Sequence, residues 1–227
     1  MGDRYPKQVA MNWSDHTWAL TDGGTADQLD PGAADDVYFT ANSGDVILST
    51  GDTDTFASLD MSYGASVYVG TLALGIFDLD TNGDISLSGT LTGTGTIYCG
   101  GGLRDFNLTF ATSISVVLDA GAGSHEIRTN ETYGDITIDA AGAEYFICQK
   151  NLACANLLLS AGTLNTRDYR NIACDSMTVA GGTLTSSTDF DVIGDFTRSA
   201  GDINVTDEMT VFGTTKVTVY TFGPRNS

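Results

Sequence analysis

Apolar and polar residues alternate along nearly the whole chain. Pairs two apart recur as Val46/Leu48, Val67/Val69, Ile85/Leu87, Leu108/Phe110, Val116/Leu118, Ile136/Ile138, Leu157/Leu159, Met177/Val179, Ile203/Val205 and Val217/Val219. A period of two puts one set of side chains in a core and the other in water, the pattern of half-buried strands. No window of a dozen residues carries a convincing 3.6 period. The pattern predicts an all-β protein.

The strands are also evenly spaced. The blocks LLLSAGTLNT (157–166), MTVAGGTLTS (177–186) and FTRSAGDINV (196–205) start 20 and 19 residues apart. Walking back from Val179 gives Leu159, Ile138 and Leu118, in steps of 20, 21 and 20. Further upstream Leu108, Leu87, Val69 and Leu48 are separated by 21, 18 and 21. Between Leu108 and Leu118 the phase slips, so either a coil is irregular there or the two residues belong to different strands of one coil. A sandwich does not require equal spacing, whereas a solenoid does, because each residue lies on its counterpart in the next coil. The period predicts a right-handed β-solenoid (β-helix) of coils about 20 residues long. Roughly nine coils, stacked at the usual strand spacing, would make a rod of about 40–45 Å. Cys154 then lies over Cys174, within reach of a disulfide, although free thiols are the expectation.

The first 40 residues differ. They hold both tryptophans, Trp13 and Trp18, together with Pro31 and the pair Asp35/Asp36 ahead of an apolar strand. Two aromatics at the open end of a solenoid would cover its first apolar coil; alternatively they bind a sugar ring or a partner protein. The expected division is an N-terminal cap or attachment segment over 1–40, a solenoid over 41–220 and a C-terminal tail over 221–227.

Composition narrows the classes. The chain has 227 residues and a net charge of −19, with 25 Asp against 4 Glu, 27 Gly and 3 Pro. Glu builds helices, whereas Asp and Gly build turns. Ten Lys and Arg are scattered and form no patch, which speaks against a nucleic-acid partner. The acidity keeps a large β surface soluble and blocks edge-to-edge pairing. Cys99, Cys148, Cys154 and Cys174 show no CxxC spacing and have only His16 and His125 to join them, so they are read as core thiols, not a zinc site. The opening MGDRYPKQVAM has no apolar h-region and no apolar run approaches the length of a membrane span. Synthesis in a cytosol and no membrane association are therefore expected, and the sequons at Asn107, Asn130 and Asn204 then carry no glycan.

Candidate chemistry is sparse. DLDTNGDI (78–85) places oxygens at Asp78, Asp80 and Asn82, like the start of a calcium loop. Such a loop needs flanking helices and a bidentate Glu at its twelfth position; here the flanks read as strands and that position is Gly89. Gly-Asp before an apolar residue recurs at 44–46, 83–85, 134–136, 194–196 and 201–203, always leading into a period-two run. That reads as a turn in which Gly supplies a positive φ and Asp bonds its own backbone. Asp78, Asp80 and Asn82 remain as a surface calcium candidate, and no other cofactor is expected. Asp189 and Asp191, pointing the same way along a strand, are the candidate for a glycosidase-type carboxylate pair, although a solvated face explains them as well. Neither histidine has a nucleophile motif such as GxSxG nearby. Gly100–Gly102 lack the Lys and helix of a phosphate loop.

GDFTRSAGDINV and LLLSAGTLNT resemble the GdFtnsGGtfn repeats of β-solenoid surface proteins and bacteriophage virion proteins. Asn12 to Phe39, with Trp13, Trp18, Pro31, Asp35 and Asp36 in order, looks like the opening that often precedes such repeats in phage structural proteins. The resemblance implies a non-enzymatic virion protein, decorating or cementing a capsid or associated with a tail, assembled in the host cytoplasm. Its implied partners are other virion proteins and further copies of itself, with three-fold packing as the expected homo-oligomer. The competing implication is a carbohydrate-binding or carbohydrate-cleaving tailspike or adhesin, because fold alone does not fix function.

Overall fold

The computed structural model describes residues 2–6, 11–14, 18–25, 30–48, 55–62, 67–110, 113–148, 151–167, 171–186, 190–206 and 208–217. Among the described residues there are twenty strands and no helix, and the strand pairing is parallel throughout the named strands. The strands stack as a β-solenoid of about 8 turns. At the usual strand spacing that is roughly 38 Å of rod, a little shorter than the nine coils expected, because several coils in the N-terminal half use more than 20 residues.

The rod has three sides, visited in the same order in every complete coil. In the strand Leu152–Asn165, residues 152–154 lie on one side, 156–159 on the next and 163–165 on the third. Each side is a column of inward apolar residues. One runs through Val37, Leu59, Ile85, Leu103, Ile127 and Ile147 and continues beside it through Tyr145, Leu164, Leu184 and Ile203. Another runs through Met11, Val46, Leu72, Leu91 and Phe110, and further along the rod through Leu152, Ile172, Val192 and Val211. The last runs through Leu79, Ile97, Val116, Ile136, Leu157, Met177 and Phe196. Together they form one continuous core. Burial of these side chains, each fully removed from water worth about 1.5–3 kcal/mol, is what drives the coiling.

The downstream repeat is reproduced residue for residue: Leu118, Ile138, Leu159 and Val179 are successive partners. The upstream walk is not. Leu108 pairs with Gly89, not with Leu87, whose partner is Asp105. Leu108 and Leu118 sit on different sides of the same coil, and Leu118 continues upstream to Cys99 and Thr81 instead. A one-residue bulge between Asp105 and Leu108, with Asn107 at φ 52°, adds to the slip. Val67 and Val69 are in no strand; Tyr68 turns inward between them, leaving Val69 80% exposed. Its hydroxyl donates to the carbonyls of Gly44 and Thr71, which holds the ring in the core. Val217 is a strand residue pairing with Arg198, whereas Val219 lies outside the described residues.

Candidate functional site

The acidic residues, the feature most suggestive of chemistry, are built into the stacking itself. Asp45 accepts the Thr71 amide at 2.6 Å, Asp78 that of Thr96 at 2.7 Å, Asp84 that of Gly102 at 2.7 Å and Asp195 that of Thr214 at 2.7 Å. In each case the donor lies 18 to 26 residues downstream, in the next coil. At a corner the inter-strand ladder breaks, and a carboxylate supplies the acceptor the ladder no longer offers. This corrects the reading of the Gly-Asp turns, in which Asp was expected to bond its own backbone. Gly194 and Gly201 do adopt positive φ, but Gly44, Gly83 and Gly134 do not. At Gly83 the reason for glycine is crowding: an added Cβ would lie 2.6 Å from the Ala57 carbonyl oxygen of the preceding coil.

Asp78, Asp80 and Asn82 face different neighbours. Asp78 holds Thr96, Asp80 accepts from the Thr55 hydroxyl at 3.0 Å, and the Asn82 amide donates to the Ala33 carbonyl at 3.5 Å. Among the described residues no group of three or more His, Cys, Asp or Glu is arranged to hold a metal ion. Asp191 tops a ladder of like side chains: Asn151 Oδ1 accepts the Asn171 amide and Asn171 Oδ1 accepts the Asp191 amide, both at 3.0 Å. Asp189 and His16 lie outside the described residues. His125 stacks on Tyr145, with ring centroids 5.4 Å apart.

At the N-terminal end Trp13 and Trp18 are buried edge to face at 4.8 Å, and Trp18 Nε1 donates to the Trp13 carbonyl. Trp13 packs on Phe56 and Trp18 on Phe39, so neither ring offers a face for a sugar. Pro31 is buried beside this cluster in sequence. Asp35 accepts the amides of Gly2 and Gly32 and the guanidinium of Arg4. Burial alone would push its carboxyl up, but those bonds outweigh it and hold Asp35 below the ordinary value. Asp36 accepts from the Ser58 hydroxyl of the next coil at 2.6 Å.

Sequence reasoning overlooked Asp105. It is fully buried at the bulge and accepts the Asn130 amide at 2.7 Å, the Asn130 side chain at 2.8 Å and the Tyr133 hydroxyl at 3.2 Å. No periodicity marks it, because its partners lie 25 to 28 residues away around an irregular coil. The Asn151–Asn171–Asp191 ladder was overlooked as well, although its 20-residue spacing is a signal that could have found it.

An open groove of ≈ 590 Å³ lies over the stacked turns at Gly142, Gly162 and Gly182. Ala and Gly line most of it, with Glu144 and Thr183 at its rim. The Glu144 carboxylate is engaged by the Asn165 side chain at 3.0 Å. The fold and its surface thus define a β-solenoid protein in which Asp45, Asp78, Asp84, Asp105 and Asp195 are structural ties between coils. Compared with known proteins, the chain matches no family model, no curated protein and no solved structure.

Proposed function

We propose that the protein is a non-enzymatic structural component of a bacteriophage virion, a capsid-decoration or tail-associated rod acting through protein–protein contacts. One observation supports this most: the carboxylates of Asp45, Asp78, Asp84, Asp105 and Asp195 are spent on backbone amides of adjacent coils, while large apolar groups emerge on the outside of the rod. Ile193 is 47% and Phe212 67% exposed, one residue beyond the paired Val192 and Val211. Neighbouring apolar side chains on a rigid parallel surface suit burial against another protein, and three-fold packing of such rods is the assembly this reading expects.

Gold-labelled antibody against the chain, applied to intact particles, tests the location; unlabelled particles would sink the proposal. Particles lacking the protein should disrupt at a lower temperature if it cements the shell. A glycan array and a reducing-sugar assay on the purified protein decide against it if either gives specific binding or turnover, which is the outcome a tailspike predicts.

A further inference from the structure

Cys154 and Cys174 are direct partners in adjacent parallel strands, Leu152–Asn165 and Ile172–Val179. Parallel neighbours sit about 4.8 Å apart, inside the Cα window of about 4.4–6.8 Å that a disulfide tolerates. Both side chains turn to the inside of the rod, and both are free thiols, 3% and 6% exposed. Interaction between the two neighbouring thiols raises the pKa of Cys154 and lowers that of Cys174 against the pull of burial. Asp135 and Asp175 are the nearby carboxylates that oppose ionisation at this corner.

The pair is enclosed by the neighbouring coils. In the preceding coil Tyr133 is the register partner of Cys154 and closes the column above. In the following coil Gly194 packs so closely against the Cys174 backbone that an added Cβ would clash with the Cys174 carbonyl oxygen. Cys99 offers a contrast within the same molecule. It is sealed in the core, its thiol faces the carbonyls of Gly83, Gly101 and Gly102, and burial pushes its pKa up to about 12.

From this geometry we propose that Cys154 and Cys174 form a thiol modification site, closed by a small-molecule disulfide into a covalent tie between two successive coils. The Cys174 thiolate attacks the oxidant's S–S bond, forming a mixed disulfide and releasing one reduced thiol. Cys154 then gives up its proton and attacks the Cys174 sulfur, expelling the second. One S–S bond is exchanged for another, two protein S–H bonds are lost, and both electrons reside on the two released thiols. The tie spans coils already in register, so it requires no backbone rearrangement.

The test uses the full chain, reduced, desalted and incubated folded with glutathione disulfide or with the smaller 2-hydroxyethyl disulfide. Intact mass should fall by 2 Da, denatured thiol counts should drop from the four present by two, and digestion should yield a linked Cys154–Cys174 peptide. The melting temperature should rise by roughly 5–10 °C and return to its starting value with a phosphine reductant. Cys148→Ser should leave all of this intact, whereas Cys154→Ser and Cys174→Ser should each abolish the 2 Da loss. Four persisting thiols under conditions that oxidise the urea-unfolded chain would overturn the proposal. So would a mixed disulfide that accumulates without resolving, or a crosslink that includes Cys148.

Discussion

The two halves of the rod solve the same stacking problem with different materials. From Ile136 onward the coils are nearly equal, with Leu157, Met177 and Phe196 following at steps of 21, 20 and 19. Nearer the N-terminus they are not: Val46 follows Met11 by 35 residues, Ile85 follows Leu59 by 26, and Leu103 follows Ile85 by 18. The interior changes accordingly. The regular half is filled mainly by Leu, Ile, Val and Met in columns, with Tyr145 and Phe196 among them, whereas the irregular half adds Trp13, Trp18, Phe39, Phe56 and Tyr68 to its aliphatic residues. Equal coils let like stack on like, so aliphatic side chains suffice. Unequal coils leave irregular gaps and an open end, which large rings with a polar handle can fill.

The sharpest way to break the irregular half is to remove its rings. Trp18→Ala should cost about 3–5 kcal/mol, read by chemical denaturation. Hydrogen exchange should then show the loss confined to the N-terminal coils, since coils contact only their neighbours. Asp105→Ala, at the junction between the halves, strands the Asn130 amide and the Tyr133 hydroxyl and should cost about 2–4 kcal/mol. In the regular half Gly162→Ala meets two obstacles. Its φ is +80° and the new Cβ would clash with the Ala140 carbonyl oxygen, so a loss of about 1–3 kcal/mol is expected, measured as a lower melting temperature.

The smallest effects come from two aspartates with opposite signs. Asp35, at the N-terminal end, has a folded pKa below its unfolded value of 3.8. Its contribution is complete above that value and is lost as pH falls from 3.8 through the lower folded pKa. Asp119, in the middle of the rod, is moved up by burial and by the charges of Asp80 and Asp139. Its ionisation therefore costs stability at neutral pH, and the cost disappears as pH falls through its raised pKa toward 3.8. At pH 7 Asp35→Asn should destabilise by about 1 kcal/mol, while Asp119→Asn should stabilise by a few tenths of a kcal/mol after solvent screening. Denaturation curves at pH 7 and pH 4.5 separate them, because the gain from Asp119→Asn should shrink at the lower pH.

This contrast also explains what could be read from letters alone. All-β character, the period near 20 and the Leu118–Ile138–Leu159–Val179 column were legible because equal coils write themselves as equal spacings. The upstream walk through Leu87 and Val69 failed because a period cannot be followed where coil length varies, and Tyr68, not either valine, faces the core. The role of the aspartates was hidden for another reason. Asp78 and Asp84 read locally as metal oxygens or turn formers, yet their partners Thr96 and Gly102 are 18 residues away. Only three-dimensional register brings a side chain to the amide it serves.

The ties from Asp45, Asp78, Asp84, Asp105 and Asp195 share a direction: the acceptor belongs to the earlier coil and the donor to the later one. Each finished coil therefore displays acceptors for a stretch of chain that follows it in the sequence. A ribosome delivers the aromatic end first, and every later coil meets an edge already furnished with both carbonyls and carboxylates. The described coils are thus furnished for addition in chain order, one layer on the last, as a crystal grows.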